Sequence, residues 1–413
     1  MNISKIQHTN FFLIFGGYIL ISFIPDFMGI NNRIITVPFR GICLFFSLML
    51  IFVGIKKDLF YKIDINLKFV LLFWAFFIIR IIYDLYLRNL NVNYQYSDKY
   101  EYLFWAIGVT FIPMLSSFYI KYLKLETVVN FFYWTLFFSL GFSLFSKNNY
   151  QTENELLRQG ANQAISVILY GHLGCTLSLL SIYKYKRKKH YIPVLSFIVG
   201  VLVIFSSGTR SSFIALVIVS MIYFSFNKNI HNKMIFSGCL IILSVIIIFL
   251  QGYIIEVIRT SNLPLIKKII ISLSDQEKLY NGRDYLINSA LLEFEKSPII
   301  GWCFVITSGI GEGFYPHNSV VESLMATGII GGFLFIIIII KASIISIQLI
   351  KKNNENLWIA LLFFQYLLYS LSSMALYKHQ TLWIMIVFLF IINSSNILKN
   401  HERNKNISNN GCS

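Results

Sequence analysis

Apolar residues in this chain gather into runs of about 20, separated by short polar intervals, along almost its whole length. A helical run of that length crosses a bilayer with its backbone hydrogen bonds satisfied internally. The pattern predicts about twelve such spans. The first half gives Phe11–Ile24, Val37–Ile55, Leu67–Leu87, Tyr102–Ile120, Val128–Phe145 and Ala161–Tyr183. The second gives Ile192–Phe205, Ser211–Phe226, Met234–Tyr253, Ser319–Ile340, Leu357–Tyr377 and Leu382–Leu398. Neither a Pro- or Ser-rich linker nor an internal repeat divides them, so residues 1–413 read as a single integral membrane domain.

One polar interval is long, 254–316, between the ninth and tenth spans. Inside it an amphipathic helix opens at Asn281-Gly282-Arg283-Asp284-Tyr285 and is stopped by Ser297-Pro298. Leu286, Ile287, Ala290, Leu291 and Phe294 share its apolar face. Gly301, Gly309, Gly311 and Gly313 follow and read as loop flexibility, and Tyr315-Pro316-His317-Asn318 leads into the tenth span.

A composition of 56% hydrophobic and 13% charged residues excludes an ordinary soluble domain; the expected class is all-α and polytopic. The net charge of +16 points to nucleic acid only until the charges are sorted by side. Lys56-Lys57, Lys121 and Lys124, the run Lys184 to Lys189, Lys228 and Lys233, and Lys351-Lys352 occupy every second loop. Lys399, Arg403 and Lys405 in the tail join them. The positive-inside rule puts these loops and both termini in the cytoplasm and leaves the other side near neutral. The charge is therefore a topology signal, and nucleic acid drops out. The first apolar segment lacks a small-x-small cleavage site and reads as an uncleaved helix. Cys43, Cys175 and Cys239 fall in apolar segments, Cys412 in the tail and Cys303 alone in the long loop, which is no disulfide framework.

Arginines divide differently from lysines. Only Arg187 and Arg403 are on the cytoplasmic side; Arg33, Arg40, Arg80, Arg88, Arg158, Arg210, Arg259 and Arg283 lie outside or in the outer membrane half. A chain that uses lysine for generic positive charge and arginine at one face points to planar, bidentate partners such as phosphate. Arg80 also has a local partner in Asp84 one turn on. Arg158 precedes Gly160-Ala161-Asn162 at the outer start of the sixth span, and Arg210 sits in the turn Ser206-Ser207-Gly208-Thr209-Arg210-Ser211-Ser212 before the eighth. His317 and Asn318 stand at the outer start of the tenth. Each of these helices begins outside, so free N–H groups and positive dipole ends point outward beside an arginine or histidine. For one turn alone, simple capping is the better account; for the set, an anion site is.

His317 precedes Asn318 and Glu322, one turn apart on one face, so a neutral imidazole there is a candidate base and Glu322 its competitor. The pattern Gly309-x-Gly311-x-Gly313 follows no strand and is no dinucleotide fingerprint. Without an Asp-x-Asp or a His/Cys cluster outside, no metal and no cofactor is expected.

These residues resemble the O-antigen ligase/polymerase superfamily of bacterial envelope glycosyltransferases. Ser207-Gly208-Thr209-Arg210-Ser211 is similar to that family's Ser-x-Ser-Arg-type turn. Gly282-Arg283-Asp284-Tyr285 with Ser297-Pro298-Ile299-Ile300-Gly301-Trp302 resembles its loop segment. Pro316-His317-Asn318-Ser319, Glu322 and Gly328-Ile329-Ile330-Gly331 resemble its following helix, and Arg158 with Gly160-Ala161-Asn162 is similar to its entry to a span. Asp284-Tyr285 departs from an aromatic-rich pattern in many members. The resemblance implies a GT-C-like, inverting, metal-independent enzyme at the outer face of the bacterial inner membrane. Its donor would be an undecaprenyl-pyrophosphate-linked oligosaccharide. It implies Arg210 and Arg283 on the pyrophosphate with Arg158 assisting, His317 or Glu322 as acid/base, and Asn318, Ser211, Asn162 and Arg80 in support. An O-antigen or surface-polysaccharide polymerase, with a carrier-linked repeat unit as acceptor and a chain-length regulator as partner, is the first expectation. A ligase to lipid A-core is the second, and a lipid-linked oligosaccharide transporter a distant third.

Overall fold

The computed structural model describes residues 3–28, 31–57, 64–90, 92, 99–120, 122–145, 149–151, 157–159, 165–187, 189–226, 283–309, 311–353 and 355–394. Helix dominates. We number α1 from Ile3 to Met28, with a π-helical turn at Leu13–Gly17, then α2 (Asn32–Lys56) and α3 (Ile65–Leu87). Next come α4 (99–116, π-helical over Phe104–Phe111), α5 (Leu125–Ser143), α6 (Val167–Arg187), α7 (Tyr191–Ser207) and α8 (Arg210–Phe226). The rest are α9 (Arg283–Lys296), α10 (Ser319–Lys352), α11 (Leu357–Ser370) and α12 (Gln380–Ser394).

Among the described residues six helices are long and apolar enough to cross a membrane: Ile3–Ile24, α2, α3, α5, α6 and α10. Helix lies at every predicted span except Met234–Tyr253, which falls outside the described residues together with 254–282 of the long loop. Helix starts follow local chemistry. Asp64 accepts from the Leu67 N–H at 2.9 Å, and Asn318 accepts from Val320 and Val321 at 3.0 and 3.2 Å. Gly208 ends α7 in the left-handed conformation, as a C-terminal glycine does.

Two departures from the sequence expectation bear on function. The first is a pair of three-residue strands, β1 (Asn149–Gln151) and β2 (Leu157–Gln159), antiparallel with Tyr150 opposite Arg158. Ser166 accepts from the Leu169 N–H, so α6 starts at Val167 rather than near Ala161. Arg158 therefore lies on a strand ahead of the helix, not at its N-terminus, and Asn162 lies outside the described residues.

The second is a break in α10. Its 34 residues are interrupted at Gly328, whose φ of 66° and ψ of −165° belong to glycine alone. The chain 298–303 crosses there. Ile329 N–H donates to the Pro298 carbonyl at 2.7 Å, and Trp302 N–H to the Met325 carbonyl at 2.9 Å. A Cβ on Gly328 would sit 2.3 Å from the Ile299 oxygen, and one on Gly301 2.4 Å from the Ala326 oxygen. Arg80 from α3 closes the crossing. Its guanidinium donates to the carbonyls of Ala326 (3.0 Å), Ile300 (2.9 Å), Gly301 (2.8 Å) and Trp302 (3.3 Å), and faces Asp84 at 3.6 Å. Broken backbone at membrane depth survives only where protein satisfies it, and here it does. Behind the crossing, Trp383 of α12 packs on Phe73, Trp74 and Phe335 with ring centroids 5.2 to 5.9 Å apart, joining α3, α10 and α12.

Gly328→Ala is expected to lower the thermal midpoint of the detergent-purified protein strongly. Backbone strain alone costs about 1–3 kcal/mol, before the overlap with Ile299. An unchanged midpoint would contradict the crossing.

Candidate active site

The interval after α9 is built as a chain of anchors. Glu293 on the buried side of α9 accepts from the Thr307 N–H (3.1 Å) and hydroxyl (2.5 Å) and from Lys296 (2.7 Å). Burial alone would raise its pKa, yet these donors hold it below the usual glutamate value. α9 turns inward most of the predicted face, with Ala290 buried and Leu286, Ile287 and Phe294 half-buried; Glu293 is buried with them and Leu291 is exposed. Phe304 N–H donates to Asp84 at 2.9 Å, which ties the same interval to α3. The glycine-rich passage is a fixed turn, not a loose loop: Ile306 N–H bonds to Phe314 O at 3.0 Å and Gly313 N–H to Ile306 O at 2.9 Å.

This chain of anchors delivers Tyr315 and His317 to the connection between α11 and α12, residues 371–379. That connection is the hub of the site. Arg283, the first residue of α9, donates from Nη2 to Ser373 Oγ at 3.3 Å, and the Tyr315 hydroxyl donates to Ser373 O at 3.4 Å. His317, itself in left-handed backbone (φ 56°), places Nδ1 3.3 Å from the same carbonyl. A carbonyl only accepts, so Nδ1 carries the hydrogen and Nε2 keeps its lone pair. Glu322 is fully buried and one oxygen, Oε2, accepts from the Leu376 N–H at 2.9 Å; Oε1 has no hydrogen-bond partner. Thr110 of α4 donates to Tyr377 O at 2.7 Å and fixes the far end.

Across this hub, Arg283 and Arg210 line one cavity of about 410 Å³ with Ser211, Ile214, Leu368 and Ser372. Arg210 hydrogen-bonds and ion-pairs with none of the described residues. Burial first, then the charge of Arg210, draws the Arg283 pKa below its ordinary value. Two guanidinium groups share a half-buried space, and among the described residues no carboxylate lines it. The neighbouring hydroxyls are spent elsewhere: Ser207 bonds Thr209 (2.6 Å), Thr209 bonds Ser212 (2.5 Å), and Ser211 meets His172 Nε2 at 3.2 Å. Those serines shape the turn, and Arg210 is left facing the cavity.

The predicted set thus divides. Arg210, Arg283 and His317 come together around residues 371–379, and Glu322 lies beneath them holding that segment. Asn318 is a helix cap whose oxygen is fully used, and Arg80 is bound to backbone carbonyls and Asp84. The sequence reading passed over Ser373 and Lys378. Their signal was a polar cluster, Ser372-Ser373 with Lys378-His379; Ser372-Ser373 fall inside the expected span Leu357–Tyr377, whose helix instead ends at Ser370.

Residues 195–336 match the family model described as O-antigen ligase. Over this segment the chain is similar to the O-antigen ligase/polymerase superfamily. The match runs from α7 through α8 and α9 to the first part of α10, about a third of the chain, and contains Arg210, Arg283, His317, Glu322 and the Gly328 break. In this O-antigen ligase segment the motif residues are the ones that converge; Arg80 and the hub 371–379 lie outside it. A comparison with curated proteins finds no match.

Burial first, and then the charges of Arg283 and Lys378, lower the His317 pKa below 6.5, against a hydrogen bond to Ser373 that raises it. A depressed value keeps the imidazole neutral at pH 7 and delays protonation until the pH falls below 6.5. In ¹⁵N-histidine NMR, with His317→Asn to assign the signal, His317 is expected to titrate below 6.5 and to move upward in Lys378→Met. A titration at or above 6.5 in the unmodified protein would contradict the arrangement.

Proposed function

We propose that the protein is a membrane glycosyltransferase that moves a glycan from undecaprenyl pyrophosphate to an acceptor hydroxyl at the periplasmic face of the bacterial inner membrane, both termini being cytoplasmic. The observation that carries this reading is the pair Arg210 and Arg283, two cations sharing one cavity without a counter-charge among the described residues. Uncompensated buried charge of one sign is costly unless a ligand of the other sign completes it. A pyrophosphate supplies that charge, and guanidinium groups bind it bidentately.

The residues then take these roles. The acceptor hydroxyl attacks the anomeric carbon on the face opposite the pyrophosphate, its oxygen forming the new bond as the bond to the phosphate oxygen breaks. The electron pair leaves with the pyrophosphate, whose growing charge Arg210 and Arg283 stabilise. His317, neutral and with Nδ1 committed to Ser373, takes the hydroxyl proton at Nε2. Glu322 acts as a positioning residue, since its Oε2 holds Leu376 and hence the segment carrying Ser373. Inversion and metal independence follow from direct displacement with arginine in place of a metal. Arg158, on β2, assists from the loop before α6.

The first reading of the acceptor is a second carrier-linked repeat unit, which makes the enzyme a surface-polysaccharide polymerase. The second reading is the ligase, with lipid A-core as acceptor; the matching family model supports both readings alike.

In a deletion strain, single-repeat glycan on the core marks a lost polymerase, and long carrier-linked chains over bare core mark a lost ligase. Complementation with Arg283→Ala or Arg210→Ala should lower transfer roughly 10²–10³-fold with membrane levels unchanged. Arg283→Lys should restore it only in part. Full activity in the alanine variants would sink the assignment.

A further inference from the structure

A second cation-bearing cavity borders the same hub. It encloses about 300 Å³ among α1, α2, α4, α6, α11 and the 371–379 connection. Its polar end holds Arg40, Lys378, Trp105 and Gln380, and its walls become apolar through Ile19 and Phe132. Arg40 lies with its guanidinium 4.0 Å from the Trp105 ring centre and 5.2 Å from that of Tyr18, whose hydroxyl it reaches at 3.3 Å. Among the described residues no carboxylate pairs with Arg40. The Lys378 ammonium stands 5.8 Å from the same Trp105 ring and 5.6 Å from Tyr315. One indole is therefore flanked by both cations. Burial pushes Lys378 down to about 8; nearby Glu322 opposes this, Arg40 adds to it, and Glu101 opposes it.

The position is what gives this cavity meaning. Lys378 and Arg283 both act on His317 electrostatically, and each lines a different cavity. His317 is tied to both: its ring lies 4.4 Å from that of Tyr315, which Lys378 faces at 5.6 Å, and it shares Ser373 with Arg283. Cations at the mouth, aromatic rings beside them and apolar walls beyond describe the complement of an anionic glycolipid: phosphate to the cations, sugar to the rings, acyl or prenyl chain to the walls. We propose that this cavity is the acceptor subsite and that Arg40 and Lys378 hold the phosphate group of a phosphorylated, lipid-linked acceptor while His317 receives the proton of its sugar hydroxyl. The inference rests on the transferase reading above.

Native mass spectrometry of the purified protein tests it, because it counts bound lipid and is independent of turnover. With undecaprenyl pyrophosphate and lipid A as probes, the unmodified protein should carry one undecaprenyl pyrophosphate at Arg210 and Arg283 and one phosphorylated lipid at the second cavity. A second undecaprenyl pyrophosphate there supports the polymerase; lipid A there supports the ligase. Arg40→Gln with Lys378→Gln should weaken the second equivalent at least tenfold and leave the first intact, which also shows that the variant is folded. Arg283→Gln should do the reverse. Retention of both equivalents in the Arg40/Lys378 variant, or a single equivalent in the unmodified protein, would overturn the acceptor subsite. Loss of neither equivalent in Arg283→Gln would instead overturn the transferase reading.

Discussion

Arg80 is the interaction on which the rest of the site depends. One side chain from α3 collects carbonyl oxygens from Ile300, Gly301, Trp302 and Ala326 at the point where α10 is interrupted. Without it, the Ile300, Gly301 and Ala326 carbonyls would lose this donor, at a cost of about 1–3 kcal/mol each where they stay buried, while the Trp302 carbonyl would keep Arg88. With it, the chain 298–303 is fixed against α10, α9 is fixed on one side of that crossing, and 303–317 on the other. The positions of Arg283 and His317 follow from this crossing and from the 371–379 connection. Arginine suits the task because its planar fork offers five donors at fixed angles, which lysine lacks.

A second constraint is electrostatic. The bundle collects cations at one end and gives two of them, Arg210 and Arg40, no carboxylate among the described residues. Arginines elsewhere are spent on the protein itself: Arg80 on carbonyls and Asp84, Arg88 on Trp302 O at 3.0 Å and on the face of its ring, and Arg187 on Glu126 at 3.1 Å. That division separates arginines engaged by the fold from those without a carboxylate partner among the described residues. It also sets the state of His317, which is kept neutral by burial and by the neighbouring positive charge.

Much of this was legible in the sequence because it lies in local pattern. Apolar runs marked the helices, and Arg210, Arg283 and His317 stood out as rare polar groups at the ends of such runs. Three things were not. Arg80 was grouped with the anion-binding arginines because its true partners are backbone carbonyls some 220 residues away, and carbonyls leave no mark in a sequence. Gly301 and Gly328 were seen only as loop and helix glycines, since their requirement arises from two backbones meeting. The 371–379 hub acts largely through Ser373 O and Leu376 N–H, so its polar side chains marked the segment without showing what it holds.

The central claim is that Arg210 and Arg283 form a site for a lipid pyrophosphate. Equilibrium binding of undecaprenyl pyrophosphate and undecaprenyl monophosphate to the protein in nanodiscs, compared with an Arg210→Gln/Arg283→Gln variant, tests it most directly. The account predicts tighter binding of the pyrophosphate than the monophosphate, with that preference abolished in the double variant. Equal affinity for the two lipids, or a preference that survives loss of both arginines, would contradict it.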